Sequence, residues 1–116
     1  MKIKKLDHLQ EIYDAYDAFL IDLWGVMHNG IRLNTSAMNA VKELEDKGKR
    51  IIFLSNAPRP TKAVVKFLKK LNMEEKFLKN VLTSGEVALD FLKKNKFGEK
   101  FYHLGPQRDD SLFSDR

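Results

Sequence analysis

Two places in the chain put polar groups where an apolar run stops. Ala18-Phe19-Leu20-Ile21 ends at Asp22, and Ile51-Ile52-Phe53-Leu54 ends at Ser55-Asn56. A carboxylate at such a point can attack phosphorus as a nucleophile, or hold a hard cation such as Mg²⁺ that prefers oxygen ligands. A Ser hydroxyl with neighbouring backbone N–H groups can hold phosphoryl oxygens. The same residue types also serve structure alone, because a strand-end Asp caps turns and a Ser-Asn pair starts helices. Spacing by itself leaves both readings open.

The surrounding pattern decides how these groups are presented. Asp7 opens a helical pattern with Leu9, Ile12, Tyr13 and Tyr16 on one face and Gln10 placed for a capping box. Ala18–Leu23 and Arg50–Leu54 read as strands, and their continuous apolar runs predict burial on both faces. Between them, Asn29-Gly30 separates Val26-Met27-His28 from Ile31-Arg32-Leu33 and predicts a small hairpin over residues 26–33. A helix follows from about Ser36, with Ala37, Ala40, Val41 and Leu44 inward and Gly48 as a left-handed C-cap. Pro60 opens the next helix, whose core face is Val64, Phe67, Leu68 and Leu71. Val81-Leu82 is a short extended piece. Thr83-Ser84-Gly85-Glu86 forms a capping box before a helix with Val87, Phe91 and Leu92 inward. Lys100–Leu104 reads as a last strand, stopped by Gly105-Pro106. Strands alternating with amphipathic helices predict an α/β fold with a parallel sheet, and ligands in such sheets bind beyond the carboxyl ends of the strands. The pattern stops without a terminating element.

Composition narrows the function. The chain has 116 residues, 43% hydrophobic and 32% charged, which suits one small domain with a packed core. It has no cysteine, so thiolate metal sites and disulfides are excluded. The apolar runs are far too short to span a bilayer, and Asp7, His8 and Gln10 interrupt any signal-peptide pattern. A cytoplasmic protein without a membrane partner is expected. The net charge of +5 comes from lysines spread over every segment among 16 acidic residues. The densest runs, Lys66–Lys70 and Lys93–Lys96, read as solvated helix faces, so nucleic acid is not expected as a partner.

Taken together, Phe19-Leu20-Ile21-Asp22-Leu23-Trp24-Gly25-Val26, the hairpin after it, Leu54-Ser55-Asn56 and Thr83-Ser84-Gly85-Glu86 resemble the haloacid dehalogenase (HAD) superfamily. The class IIA phosphatase-like branch is the nearest match, and the likeness runs on to His103-Leu104-Gly105-Pro106-Gln107-Arg108-Asp109. The resemblance implies a Rossmann-like three-layer core and Mg²⁺-dependent hydrolysis of phosphate monoesters of small metabolites. It implies that Asp22 is the nucleophile and a metal ligand, and that the Trp24 backbone carbonyl is a second ligand. Ser55, Asn56 and Gly25 are implied as substrate contacts, and residues 26–33 as the flap that gates the site. It also divides the chain into residues 1–105, the N-terminal part of the core, and residues 106–116, a tail leading toward a cap domain.

Two departures stand out. Trp24 occupies the position of the usual acid/base Asp, and an indole can neither protonate a leaving oxygen nor activate water; such help is typically worth a factor of about 10²–10⁴. The family's third and fourth motifs, a cation against the phosphoryl charge and an acidic pair on Mg²⁺, would lie beyond the last strand. Asp109-Asp110 are expected to be solvated tail residues and Lys62 a solvated helix residue. His28 is expected as an exposed turn residue, His103 as a satisfied strand residue, and His8 suggests no role. The expected function is thus a HAD-like hydrolase fragment with little or no turnover alone. The alternative is a non-enzymatic module that docks onto a separately encoded partner completing the fold. A flavodoxin-like or receiver-like module has the right element order, but this chain lacks the paired acids expected at the end of its first strand, and such a module has no place for the hairpin.

Overall fold

The structure, a computed structural model, describes residues 2–94 and 97–113. Asn95 and Lys96 of the second lysine run, and residues 114–116 of the tail, lie outside the described residues. The fold is α/β, as expected. Strands β1 (Ala18–Asp22), β2 (Arg50–Ser55) and β3 (Val81–Thr83) form a parallel sheet in the order β1-β2-β3. Helices α1 (Thr35–Asp46), α2 (Thr61–Lys70), α3 (Glu75–Leu78) and α4 (Ser84–Lys93) connect and follow them. The chain divides into two compact units, Met1–Phe53 and Leu54–Arg116.

In the first unit, the opening helix is a 3-10 helix, Leu9–Ala15, that starts later than Asp7 suggested. His8 is its cap: Nδ1 accepts from Gln10 N–H, while the Glu11 carboxylate accepts from the backbone N–H groups of Asp7 and His8. Those two backbone bonds hold the Glu11 carboxyl below its ordinary value. Helix α1 begins at an Asn34 cap whose side chain accepts from Ala37 N–H, and it ends before Gly48 in the left-handed region at φ +71°. Met38, Val41 and Leu44 face the core with Tyr13, Leu23, Met27 and Phe53. A fully buried side chain such as Phe53 contributes about 1.5–3 kcal/mol relative to exposure.

The strands depart from the expectation of burial on both faces. Along β1 and β2, exposed positions alternate with covered ones, leaving Leu20 and Ile52 open. An apolar residue is admitted at both faces of a strand, but only the face that a helix covers is buried. In the second unit, α2 and α4 pack on β3, and Val64, Leu68, Met73, Phe77 and Leu89 form the core. Helix α3 was not anticipated; of its four residues, Phe77 and Leu78 are buried and anchor it. On α4 the anchor is Leu89, whereas Val87 and Phe91 are exposed, contrary to the sequence pattern. Residues 100–104 form no strand, and a second 3-10 helix spans Gln107–Leu112.

Candidate active site

Asp22 is the last residue of β1. Its Oδ1 accepts the N–H of Leu23 at 2.9 Å, and no cation pairs with the carboxylate among the described residues. The chain then turns sharply. Leu23 carbonyl accepts from the N–H groups of Val26, Met27 and His28, and Gly25, at φ +82°, donates to the His28 carbonyl at 2.7 Å. In this arrangement no donor among the described residues reaches the Trp24 carbonyl.

The hairpin is reduced to a bridged loop. His28 pairs with Leu33 and with Trp24 through single bridges, so no flanking strands form. The turn gets its shape from Asn29, whose Oδ1 accepts from Ile31 and Arg32 N–H, and from Gly30 at φ +86°. Asn29 itself keeps a negative φ, so the turn lacks the two left-handed residues that the Asn-Gly pair suggested. His28 is buried at 6% exposure and is not an exposed turn residue. Its two bridges draw it inward, and the Trp24 ring stands edge-on to it at 5.3 Å. Nδ1 of His28 accepts the Gly30 N–H at 3.0 Å. Burial lowers the imidazole pKa below its ordinary 6.5, against a smaller opposing pull from the Asp22 charge.

In the second unit, Ser55 closes β2 and its Oγ accepts the N–H of Ala57, with Asn56 between them. The loop that follows is fixed by α4: Gly85 N–H and the Ser84 hydroxyl both donate to the Ala57 carbonyl. Thr83 caps α4 by accepting from Glu86 N–H, and its hydroxyl donates to the Arg59 carbonyl at 2.7 Å. Glu86 does not close the expected capping box; its carboxylate accepts instead from Thr61 N–H at the start of α2. The Thr83-Glu86 signature therefore ties the loop after Ser55 in place.

Asp109 is not a solvated tail residue. It is buried at 6% exposure, with the Arg59 Nε 3.9 Å from its carboxylate. Asp110 remains exposed and meets His103 Nδ1 at 3.1 Å, so His103 finds a side-chain partner without belonging to a strand. Lys62 is exposed on α2, as expected. Neither the Arg59–Asp109 pair nor Arg32, which lines a cleft beside the 26–33 loop, carried a signal in the sequence.

Among the described residues, no three His, Cys, Asp or Glu side chains cluster to hold a metal. The oxygens of the turn whose chemistry would suit a hard cation are the Asp22 carboxylate and the Trp24 carbonyl. They match part of the shell of about six oxygens that Mg²⁺ takes.

This fold and strand-end carboxylate define a known class. The family model of haloacid dehalogenase-like hydrolases matches residues 19–116, and the chain belongs to that family. It is 37% identical over 90 residues to sugar-phosphatase AraL of Bacillus subtilis (strain 168), covering 76% of this chain and 32% of that protein. A haloacid dehalogenase-like hydrolase from Brucella suis 1330 superposes with a TM-score of 0.82 at 32% identity, covering 93% of this chain and 41% of that one. A 4-nitrophenylphosphatase from Thermotoga maritima shares the fold with a TM-score of 0.66 at 22% identity, over 90% of this chain and 40% of its own. The chain thus spans about a third of the curated relative it matches. No helix among the described residues is long and apolar enough to cross a membrane.

Proposed function

We propose that this chain carries the nucleophile-bearing part of a class IIA phosphate monoesterase acting on small phosphorylated metabolites in the cytoplasm. The observation that supports it is the Asp22 carboxylate, exposed at the end of β1 and bonded only to the Leu23 N–H among the described residues. Sugar phosphates are the first substrates to try, since one relative is a sugar-phosphatase. Residues 1–105 would be the core portion and residues 106–116 the approach to a cap.

In this reading an Asp22 carboxylate oxygen attacks phosphorus, the ester P–O bond breaks, and an aspartyl-phosphate forms. Water then cleaves that acyl-phosphate to release inorganic phosphate and regenerate the carboxylate. Asp22 and the Trp24 carbonyl would hold Mg²⁺, which when bound offsets the negative charge of the transferring group. Ser55, Asn56 and Gly25 would hold its oxygens. The Trp24 side chain has no ionisable proton for the departing oxygen, so the chain alone turns over slowly or not at all.

Thermal melting with Mg²⁺ and beryllofluoride, which mimics a phosphorylated carboxylate, tests this. An upward shift that Asp22→Asn removes supports the reading, because only binding to the folded state stabilises. A melt that ignores both ligands refutes it.

A second reading rests on the exposed strand residues Leu20, Ile52, Leu54 and Leu82. Open apolar positions on strands suit a module that docks onto a separately encoded partner. Light scattering coupled to size exclusion tests it: a monodisperse monomer with a cooperative melt counts against a required partner.

A further inference from the structure

Beside the flap lies a cleft of about 540 Å³, lined by Gly25, His28, Asn29, Arg32, Thr35 and Ser36 among others. Among the described residues that line it, none is acidic. Arg32 is exposed and forms no ion pair among the described residues, although the chain has 16 acidic side chains. The Asn29 side chain and the Gly30 backbone fix the loop that carries it, since Asn29 Oδ1 takes the Arg32 N–H at 3.0 Å. Thr35 and Ser36 also line the cleft, from the first turn of α1, which carries no acidic residue. A guanidinium with hydroxyl donors in a concave site is the chemistry that recognises grouped anionic oxygens. Gly25 belongs both to this cleft and to the turn that follows Asp22.

We propose that the cleft binds a second anionic group of the substrate, so that the preferred substrate is a phosphate ester bearing a further carboxylate or phosphate. That the anion belongs to a substrate rests on the phosphatase reading, but the cleft's affinity for anions does not depend on Asp22. Arg32 supplies the charge, and Thr35 and Ser36 supply neutral donors. In this role Arg32 is a specificity-determining residue, remote from the bond that breaks.

Amide and arginine Nε–H shifts of the full chain, followed by NMR during titration with methylphosphonate and separately with succinate, test the proposal. Saturable shifts at Arg32, Thr35 and Ser36 are expected. Arg32→Gln should weaken that binding about tenfold or more, the usual loss for a charged hydrogen bond. Arg32→Lys should keep part of it, and Asp22→Asn should leave it unchanged. A response to methylphosphonate alone assigns a second phosphate, and a response to succinate assigns a carboxylate. Absence of saturable shifts at these three residues with either probe overturns the proposal, as does binding that survives Arg32→Gln or is lost with Asp22→Asn. The phosphatase reading fails separately, through beryllofluoride, so the two failures are told apart.

Discussion

The Trp24 indole lies over Gly30 so closely that a Cβ on Gly30 would overlap the ring carbons Cη2 and Cζ3. Glycine is needed there twice, since its φ of +86° also disfavours any L side chain by about 1–2 kcal/mol. Gly30→Ala is therefore expected to strain the turn and push the indole off it. Trp24 is the chain's only tryptophan, so its fluorescence reports the displacement directly. In a Trp24→Ala background, Gly30→Ala should cost only the backbone part. Equal costs in both backgrounds would show that the indole does not rest on Gly30.

The same contact explains what the indole does at a position where the family resemblance implies an acid/base carboxylate. It packs on the Asn29-Gly30 turn and against His28 while remaining 64% exposed. Trp24→Asp exchanges packing for a proton carrier. If Asp22 forms an acyl-phosphate, that species is expected to hydrolyse about 10²-fold faster in Trp24→Asp, the lower end of general acid/base help. Acid-quenched samples taken after adding a labelled phosphate donor measure its lifetime. An unchanged lifetime would mean that position 24 is not where the proton moves.

Gly85 offers a purely structural test of the loop after Ser55. A Cβ on it would run into the backbone of Arg59, and its N–H is bonded to the Ala57 carbonyl at 3.1 Å. Alanine is favoured over glycine within helices by about 1 kcal/mol. Here that gain is outweighed, because backbone atoms cannot swing aside as a side chain does. Gly85→Ala is expected to lose about 1–3 kcal/mol net, as overpacked sites do. The urea midpoint should fall; a rise would mean the loop shifts at no cost.

How much of this could be read in advance depends on how local each cause is. The Gly48 stop and the strand ends at Asp22 and Ser55 follow from neighbours within a few residues, and the sequence pattern placed them accordingly, whereas α1 starts at an Asn34 cap that the expected start near Ser36 did not include. The resemblance to the HAD superfamily likewise rests on short runs and agrees with the family match over residues 19–116. What escaped was set by distant partners. Asp109 is buried because Arg59 meets it, and His28 is buried because Trp24 and Leu33 bridge to it. Leu20 and Val87 look like core residues by type, but among the described residues no element covers them. Apolar type records what a position tolerates, whereas burial records what packs against it.

Tyr13 links the opening 3-10 helix to α1 in a way that pH should expose. Its phenol is 1% exposed and donates to the Glu43 carboxylate at 3.0 Å. Burial first, then the hydrogen bond and charge of Glu43, raise its pKa above the ordinary 10.0. The folded chain therefore holds this proton more tightly than the unfolded chain. Its contribution to stability is fully present below pH 10.0, and it is lost as pH rises from there through the folded-state value. Tyr13→Phe keeps the ring but removes the proton, at a cost of about 1 kcal/mol near neutrality for the lost hydrogen bond. Lysines titrate in the same alkaline range, and Lys47 lies 5.8 Å from the ring centre, so the informative quantity is the difference between the two proteins. Melting temperatures should converge as the solution becomes alkaline, since only the wild type pays for ionising a buried phenol. Parallel curves across that range would place the Tyr13 hydroxyl in contact with water and break the link to Glu43.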